Sequence, residues 1–227
     1  MTKRQALAVG GVTPFSTIDF PGKLAAVVFC QGCPWRCAYC HNPHLLPSRQ
    51  PTTRPWKALA SWLESRRGLL EGVVFSGGEP LLQRRLGDAV GEVRAMGFAT
   101  ALHTAGAYPQ RLRSLLPLID WIGFDVKAPF DGYRAITGCD GGETAKQSLA
   151  MVLASGTPCE VRCTVDERRL EDDALCRMAD QLASMGVDRL LLQTRRDATG
   201  KPVPPDRRRL DRLAKRCPRL RFAQRGD

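Results

Sequence analysis

The chain has 227 residues, 43% of them hydrophobic, with 34 Lys+Arg against 23 Asp+Glu and nine cysteines. That length suits one sizeable domain with a buried core, and no apolar run reaches the roughly 18 residues of a membrane span. Nine cysteines in a sequence read without an export signal point to a cytoplasmic protein with reduced thiols, whose special uses are metal binding or redox chemistry.

Ala6 to Val12, after Lys3 and Arg4, reads as the start of the mature protein rather than a signal peptide, since it holds two glycines and leads into a polar turn. Leu24 to Phe29 is a valine-rich strand that ends in a Gly/Pro/Cys-rich loop, Gln31 to Pro43. Trp56 to Arg67 has helical spacing, and Gly72 to Phe75 is a second strand broken by Gly77-Gly78. Leu82 to Met96 is a helix stopped by Gly97, Phe98 to Leu102 a strand, and Pro109 to Leu116 a helix. Trp121 to Val126 is a strand, Glu143 to Ala154 a helix closed by Gly156, and Cys159 to Val165 a strand. Leu170 to Met185 is a helix closed by Gly186, Arg189 to Gln193 a sixth strand, and a short basic helix follows near Asp206 to Arg216.

Strands alternating with helices predict βαβ units and a parallel sheet. Six such units are too few for a closed eight-stranded barrel. The expected fold class is therefore α/β, a partial (open) TIM-type barrel in one domain over 1–227, with its core at about 12–193 and a basic extension at about 194–227. Chemistry in either arrangement collects at the carboxyl ends of the strands.

The cysteine loop sits at such an end. Cys33, Cys37 and Cys40 form a C-x3-C-x2-C spacing that can wrap one face of a cubane [4Fe–4S] cluster and leave one iron open for a substrate to chelate. Adding Cys30 gives C-x2-C-x3-C-x2-C, which also suits a closed four-cysteine zinc or cluster site. Cys30 ends a strand, where a packed residue is the simpler reading. Packing as small apolar residues also accounts for Cys139, Cys159, Cys163, Cys176 and Cys217.

With Ser76-Gly77-Gly78-Glu79-Pro80 after the second strand, the cysteine loop resembles the radical S-adenosylmethionine (SAM) superfamily. Ser16 to Lys23, Phe29 to Cys33 and Tyr39 to Pro43 look like the glycyl-radical-enzyme activases, and among them the anaerobic ribonucleoside-triphosphate reductase activating proteins. The resemblance implies a [4Fe–4S] cluster on Cys33, Cys37 and Cys40, with SAM as the second cofactor. It places Tyr39 by the adenine, Gly77, Gly78 and Glu79 at the methionine amino group, Thr104 and Arg162 at the ribose and carboxylate, and Asp125 and Lys127 on the cavity wall. A side chain at Gly78 is expected to block backbone approach to SAM while the cluster is retained.

The implied reaction is reductive cleavage of SAM to methionine and a 5′-deoxyadenosyl radical, which takes a hydrogen from the Cα of a glycine in a partner enzyme. The implied partners are a glycyl radical enzyme, an anaerobic ribonucleotide reductase in the narrowest reading, and a one-electron donor such as flavodoxin or ferredoxin. His103 stands where related activases often have an acidic residue. That puts a cation beside SAM in doubt, and the plainer reading of His103 is a hydrogen-bonded strand-end histidine. His41 and His44 are read as shaping the loop.

Two alternatives stay open: a radical SAM enzyme acting on a small molecule in cofactor or deazapurine biosynthesis, and a basic zinc protein that binds nucleic acid. From Arg195 to Asp227 there are 12 basic residues against 4 aspartates. This segment is either a solvated surface or, through Arg207, Arg208 and Arg209, a docking patch for an acidic partner.

Overall fold

The computed structural model describes residues 6–48, 54–197, 199–203 and 207–224. Lys3, Arg4, Pro204, Pro205 and Asp206 fall outside them, as does the side chain of Arg207. The described strands are β1 (Ala8–Ser16), β2 (Ala25–Cys30), β3 (Arg54–Pro55), β4 (Gly72–Gly77), β5 (Ala99–Thr104), β6 (Trp121–Asp125), β7 (Cys159–Val165), β8 (Arg189–Arg196), β9 (Pro202–Val203) and β10 (Arg221–Gln224). The helices are α1 (Trp56–Glu64), α2 (Leu86–Ala95), α3 (Pro109–Leu115), α4 (Tyr133–Thr137), α5 (Gly142–Ser155), α6 (Asp172–Ser184) and α7 (Arg207–Arg216).

Seven strands run parallel in the order β10-β8-β7-β6-β5-β4-β2. At the β2 edge the row continues with antiparallel β1 and β3, and β9 pairs antiparallel with β8. The two ends of the row do not pair among the described residues, so the barrel is open. All six expected strands are present, but the parallel count is seven, not six. The extra strand, β10, lies in the segment read as a basic extension. Its four residues, Arg221 to Gln224, are too short to show a period, and pairing with β8 decides their conformation. Strand β1 is also unforeseen, because two glycines and a proline mask its pattern while backbone pairing to β2 holds it.

Ala25 to Val28 and Gly72 to Phe75 are buried on both faces of the sheet, which is why they read as unbroken apolar runs. Two cores result. Val28, Phe75, Leu102 and Ile122 face outward against helix residues such as Leu59, Val90, Leu112 and Leu149. A separate inner cluster of Phe20, Ala25, Val27, Val74, Ala101 and Trp121 fills the barrel floor. Phe20, carried on the β1–β2 connection, stacks on Trp121 at 6.1 Å between ring centroids. The floor is thus closed by an inserted loop.

Helix α2 begins at Leu86, four residues after the expected start. Pro80 to Leu82 forms a single 3-10 turn and Gln83 is extended, with its amide donating to the Gln31 carbonyl at 2.5 Å and accepting from the Ala8 N–H at 3.3 Å. Those contacts tie the end of the turn to β1 and the cysteine loop, so tertiary bonds override local propensity here. Helix α5 ends as expected at Gly156, whose φ of 71° is the left-handed conformation that closes a helix.

The basic tail is part of the fold. Leu213, Cys217 and Leu220 are buried in the main core. Arg209 is also buried; its Nε donates to Asp172 at 2.6 Å, and its Nη2 donates to the Leu170 carbonyl. A docking role for Arg209 is therefore corrected, since its charge is committed within the molecule. Of the scattered cysteines, Cys163 and Cys217 are buried as expected, Cys159 and Cys176 are half-buried, and Cys139 is exposed. No helix among the described residues is long and apolar enough to cross a membrane.

Replacing Arg209 with Gln should lower the thermal midpoint, by a loss of about 1–3 kcal/mol typical of a broken buried network. Burial opposes ionisation of Asp172, but its bonds to Arg209 and Arg212 hold its carboxyl below the usual range. A depressed carboxyl stabilises the fold above its unfolded pKa and loses that contribution as pH falls. The gap between parent and variant should therefore narrow below about pH 4, as thermal melts across pH would record.

Candidate active site

One cavity of about 180 Å³ opens at the carboxyl ends of the parallel strands. It gathers ten of the eleven residues singled out from sequence: Cys33, Cys37, Tyr39, Cys40, Gly77, Gly78, Glu79, Thr104, Asp125 and Lys127. Arg162 is not on its wall. The guanidinium lies behind Asp125, donating through Nε to Oδ1 at 2.8 Å. Gly123 makes room for it, as a Cβ there would sit 2.6 Å from the guanidinium carbon. Ser76, His103, Thr164 and Gln193 line the cavity without having been assigned to it. Thr164 was legible in the strand period, two residues beyond Arg162 on the same face of β7.

The cysteine loop is held by hydrogen bonds on three sides. Gly32 and Cys33 N–H groups donate to Leu45 and Leu46 carbonyls at 2.7 and 3.2 Å. Arg36 and Ala38 N–H groups donate to Thr137 and Ile136 at the end of α4, at 2.8 and 3.1 Å. Trp35 is buried with its ring edge-on to Tyr133 at 5.6 Å. His41 accepts from the Arg196 N–H at 3.1 Å, so this histidine does shape the loop by joining it to β8. Burial lowers the His41 pKa, which suits an imidazole acting as acceptor.

The Gly-Gly-Glu segment is the fourth support. Gly78 N–H donates to the Cys30 carbonyl at 3.0 Å, and Glu79 N–H to the Gly32 carbonyl at 2.9 Å. A Cβ on Gly77, whose φ is 123°, would lie 2.3 Å from the Cys30 nitrogen, and one on Gly78 would lie 2.3 Å from the Gly32 oxygen. Gly78 therefore also allows two protein backbones to meet, beside its place on the cavity wall. The Glu79 carboxylate accepts from Thr104 Oγ1 at 2.7 Å, Ala105 N–H at 2.9 Å and Leu81 N–H at 3.1 Å. Burial raises the Glu79 pKa, and these three hydrogen bonds offset the rise only in part.

The electrostatics centre on Asp125. Its two oxygens take Arg162 Nε at 2.8 Å and Lys127 Nζ at 3.2 Å. Burial opposes its ionisation, yet Arg162, Lys127 and His103 hold the carboxyl well below its usual range. Burial likewise works against the Lys127 ammonium, and Asp125 with Cys37 outweighs it and raises its pKa. His103 Nε2 lies 2.9 Å from the Asp19 carbonyl and 3.4 Å from Arg162, the hydrogen-bonded strand-end histidine of the plainer reading.

Burial pushes Cys33 up to about 12 and also raises Cys37. Three thiols of one loop on a sheltered wall, beside the Lys127 ammonium, suit an iron–sulfur cluster, whose binding would release their protons. Cys30 is fully buried in the core and does not line the cavity. Among the described residues no three His, Cys, Asp or Glu side chains are gathered to hold a single metal ion. The Tyr39 hydroxyl is buried in the wall without a hydrogen-bond partner, a polar atom that a ligand could satisfy.

Comparison with known proteins agrees with this geometry. A protein of Methanocaldococcus jannaschii provisionally named a glycyl-radical enzyme activating enzyme is 33% identical over 165 residues, covering 64% of this chain and 61% of that protein. The pyruvate formate-lyase-activating enzyme of Clostridium pasteurianum is 35% identical over 136 residues, covering 57% of each. The chain thus spans about three fifths of the length of these curated relatives. Streptococcus suis SuiB, solved with S-adenosylmethionine, shares the fold with a TM-score of 0.65 at 15% identity, over 86% of this chain and 48% of that one. The profile of the radical SAM superfamily matches residues 27–166, from the middle of β2 past the end of β7, and takes in the cysteine loop and the Gly-Gly-Glu staple. With that match over more than half its length, and three thiols on the wall of an open barrel, this chain belongs to the radical SAM superfamily, whose cofactors are a [4Fe–4S] cluster and SAM.

Proposed function

We propose that the protein is a glycyl-radical-enzyme activase that holds its cluster on Cys33, Cys37 and Cys40. The observation that carries this reading is the thiol count on the wall: three cysteines face the cavity and the fourth, Cys30, is sealed in the core. A cubane with three protein ligands keeps one iron for the amino and carboxylate groups of SAM. When bound, cluster and SAM supply one-electron reductive cleavage of a C–S bond.

The chain's own residues position and shelter. Ser76 to Glu79 form the wall beside the cysteine loop and would face the methionine amino group. Asp125 and Lys127 line the side between β6 and the loop, where they would meet the polar groups of SAM. Arg162 acts one step back, as the positioning residue that keeps Asp125 ionised and oriented. The Thr104 hydroxyl already donates to Glu79 and accepts from Gly106 N–H at 3.0 Å, so its part is to hold Glu79. Tyr39 would stand by the adenine and gain a partner for its buried hydroxyl.

The narrower reading takes anaerobic ribonucleoside-triphosphate reductase as the partner, on the resemblance of Ser16 to Lys23, Phe29 to Cys33 and Tyr39 to Pro43, with flavodoxin or ferredoxin as electron donor. The relatives named for pyruvate formate-lyase favour that enzyme as a second partner reading. Anaerobic incubation with each glycyl radical enzyme decides between them by electron paramagnetic resonance. A glycyl doublet on the reductase alone is expected; a doublet only on the lyase shifts the partner, and none on either overturns the activase reading.

Cys33→Ala, Cys37→Ala and Cys40→Ala should each lose cluster iron and the brown absorbance, whereas Cys30→Ala should retain both. Iron and sulfide assays on anaerobically reconstituted protein check this, and equal loss in all four would remove the three-ligand assignment. Gly78→Ala should lower iron content together with SAM affinity, because the new Cβ would press on the Gly32 carbonyl at the base of the cysteine loop. Full iron retention with SAM affinity alone reduced would return Gly78 to a ligand-facing role.

A further inference from the structure

Two cysteines outside the cavity stand against each other where the last helix meets α6. Asp173 and Cys176 lie three residues apart and so share one face of α6. The Arg216 guanidinium at the end of α7 bonds to Asp173, which brings the next residue, Cys217, level with that face. The Cys217 N–H donates to the Leu213 carbonyl at 2.9 Å, so its backbone extends the last turn of α7. Leu213 and Cys217 thus lie on one side of that helix, buried in the main core with Leu175, Met178, Ala179 and Leu182 of α6. Cys176 packs, half-buried, against the same core.

The two thiols are hydrogen-bonded to one another across this interface. Burial pushes Cys217 up to about 12, and the bond to Cys176 adds to the rise. Packing alone asks only for two small apolar side chains here, and thiols in mutual contact can do more. Cys176 is the reachable sulfur of the pair and Cys217 the shielded one. Neither lines the cavity with Cys33, Cys37 and Cys40, so a bound cluster takes up neither sulfur.

We infer that Cys176 and Cys217 form a redox modification site, closing a reversible disulfide between α6 and the end of α7. The oxidant is a low-molecular-weight disulfide. The Cys176 thiol gives up its proton and attacks one sulfur of that molecule, whose other sulfur leaves and takes up a proton. The Cys217 sulfur then loses its proton, attacks Cys176 in the mixed disulfide and expels the second small thiol. Two protein thiols lose two electrons, and one small disulfide is reduced to two thiols. The segment so closed carries β8, whose Gln193 lines the cavity, as well as α7. The crosslink therefore fastens the β8 side of the open barrel, and it stabilises chiefly by restricting the unfolded chain.

The test treats the anaerobically reconstituted protein with 2-hydroxyethyl disulfide, traps the remaining thiols with N-ethylmaleimide and maps tryptic fragments by mass spectrometry. Fragments 170–177 and 217–219 should be recovered joined as the main product, and should separate after dithiothreitol. Protein unfolded in urea and treated in the same way should give that pairing as only one among many. The oxidised protein should melt higher than the reduced one by roughly 5–15 °C, with no such rise in a Cys176→Ala variant. A Cys217→Ala variant should keep the hydroxyethyl adduct on Cys176, because the thiol that expels it is gone. That readout follows a mass and not a stability. An adduct that persists on Cys176 of the parent protein would overturn the proposal. So would a joined pair no more abundant than in urea, or an unchanged melting temperature after oxidation. Iron measured on the same samples should stay constant, and joining that appears only after iron is lost would also overturn it, by tracing the pair to thiols released from the cysteine loop.

Discussion

Two stretches of backbone approach each other so closely at the end of β4 that no side chain fits between them. Gly77 and Gly78 lie against Cys30 and Gly32, and two N–H groups of the Gly-Gly-Glu segment donate to carbonyls of the cysteine loop. The Glu79 carboxylate then reaches the next strand end through Thr104 and Ala105. Three consecutive strand ends are thereby fastened to one another. The cysteine loop has little regular structure of its own, so these bonds, with those to Leu45, Leu46 and α4, set where its thiols stand. Burying a carboxylate is unfavourable, and its raised pKa shows that three hydrogen bonds do not fully compensate. What the buried charge contributes is direction, because its partners lie on separate elements.

The barrel interior is layered along the strand direction. At the floor, Phe20, Val27, Val74, Ala101 and Trp121 exclude water. Above them Arg162, Asp125, Lys127 and His103 form a charged layer in which two cations bracket one carboxylate. Next come the thiols and the Gly-Gly-Glu wall. Such an arrangement keeps ionised groups apart from the apolar floor, while the Asp125 carboxylate has its two counter-charges within hydrogen-bond reach.

The arginine-rich C-terminal segment carries most of the net charge but does not act as one surface. Arg209 is bound to Asp172 and the Leu170 carbonyl, Arg216 to Asp173, and Arg221 to Asp188. These pairs join α7 to the start of α6 and β10 to the turn before β8. Several basic residues are thus used to hold the last helix and strand on the sheet.

The strand and helix succession, the open-barrel class and the cysteine loop were legible in the residues themselves. Each is a local property: Ala25 to Val28 and Trp121 to Phe124 are apolar over a strand's length, helix ends carry glycine, and three cysteines share an eight-residue loop. Strands β1 and β10 were not legible, because only their neighbours in the sheet hold them extended. Nor could residue types reveal that Arg162 stands behind Asp125, that Gly78 meets Gly32, or that Gln83 delays α2. Parallel strands set side by side residues that are distant along the chain, such as Glu79 with Thr104 or Asp125 with Arg162. Which polar group takes which partner is decided by the order and register of those strands, since a buried donor or acceptor must be satisfied by whatever group stands across from it.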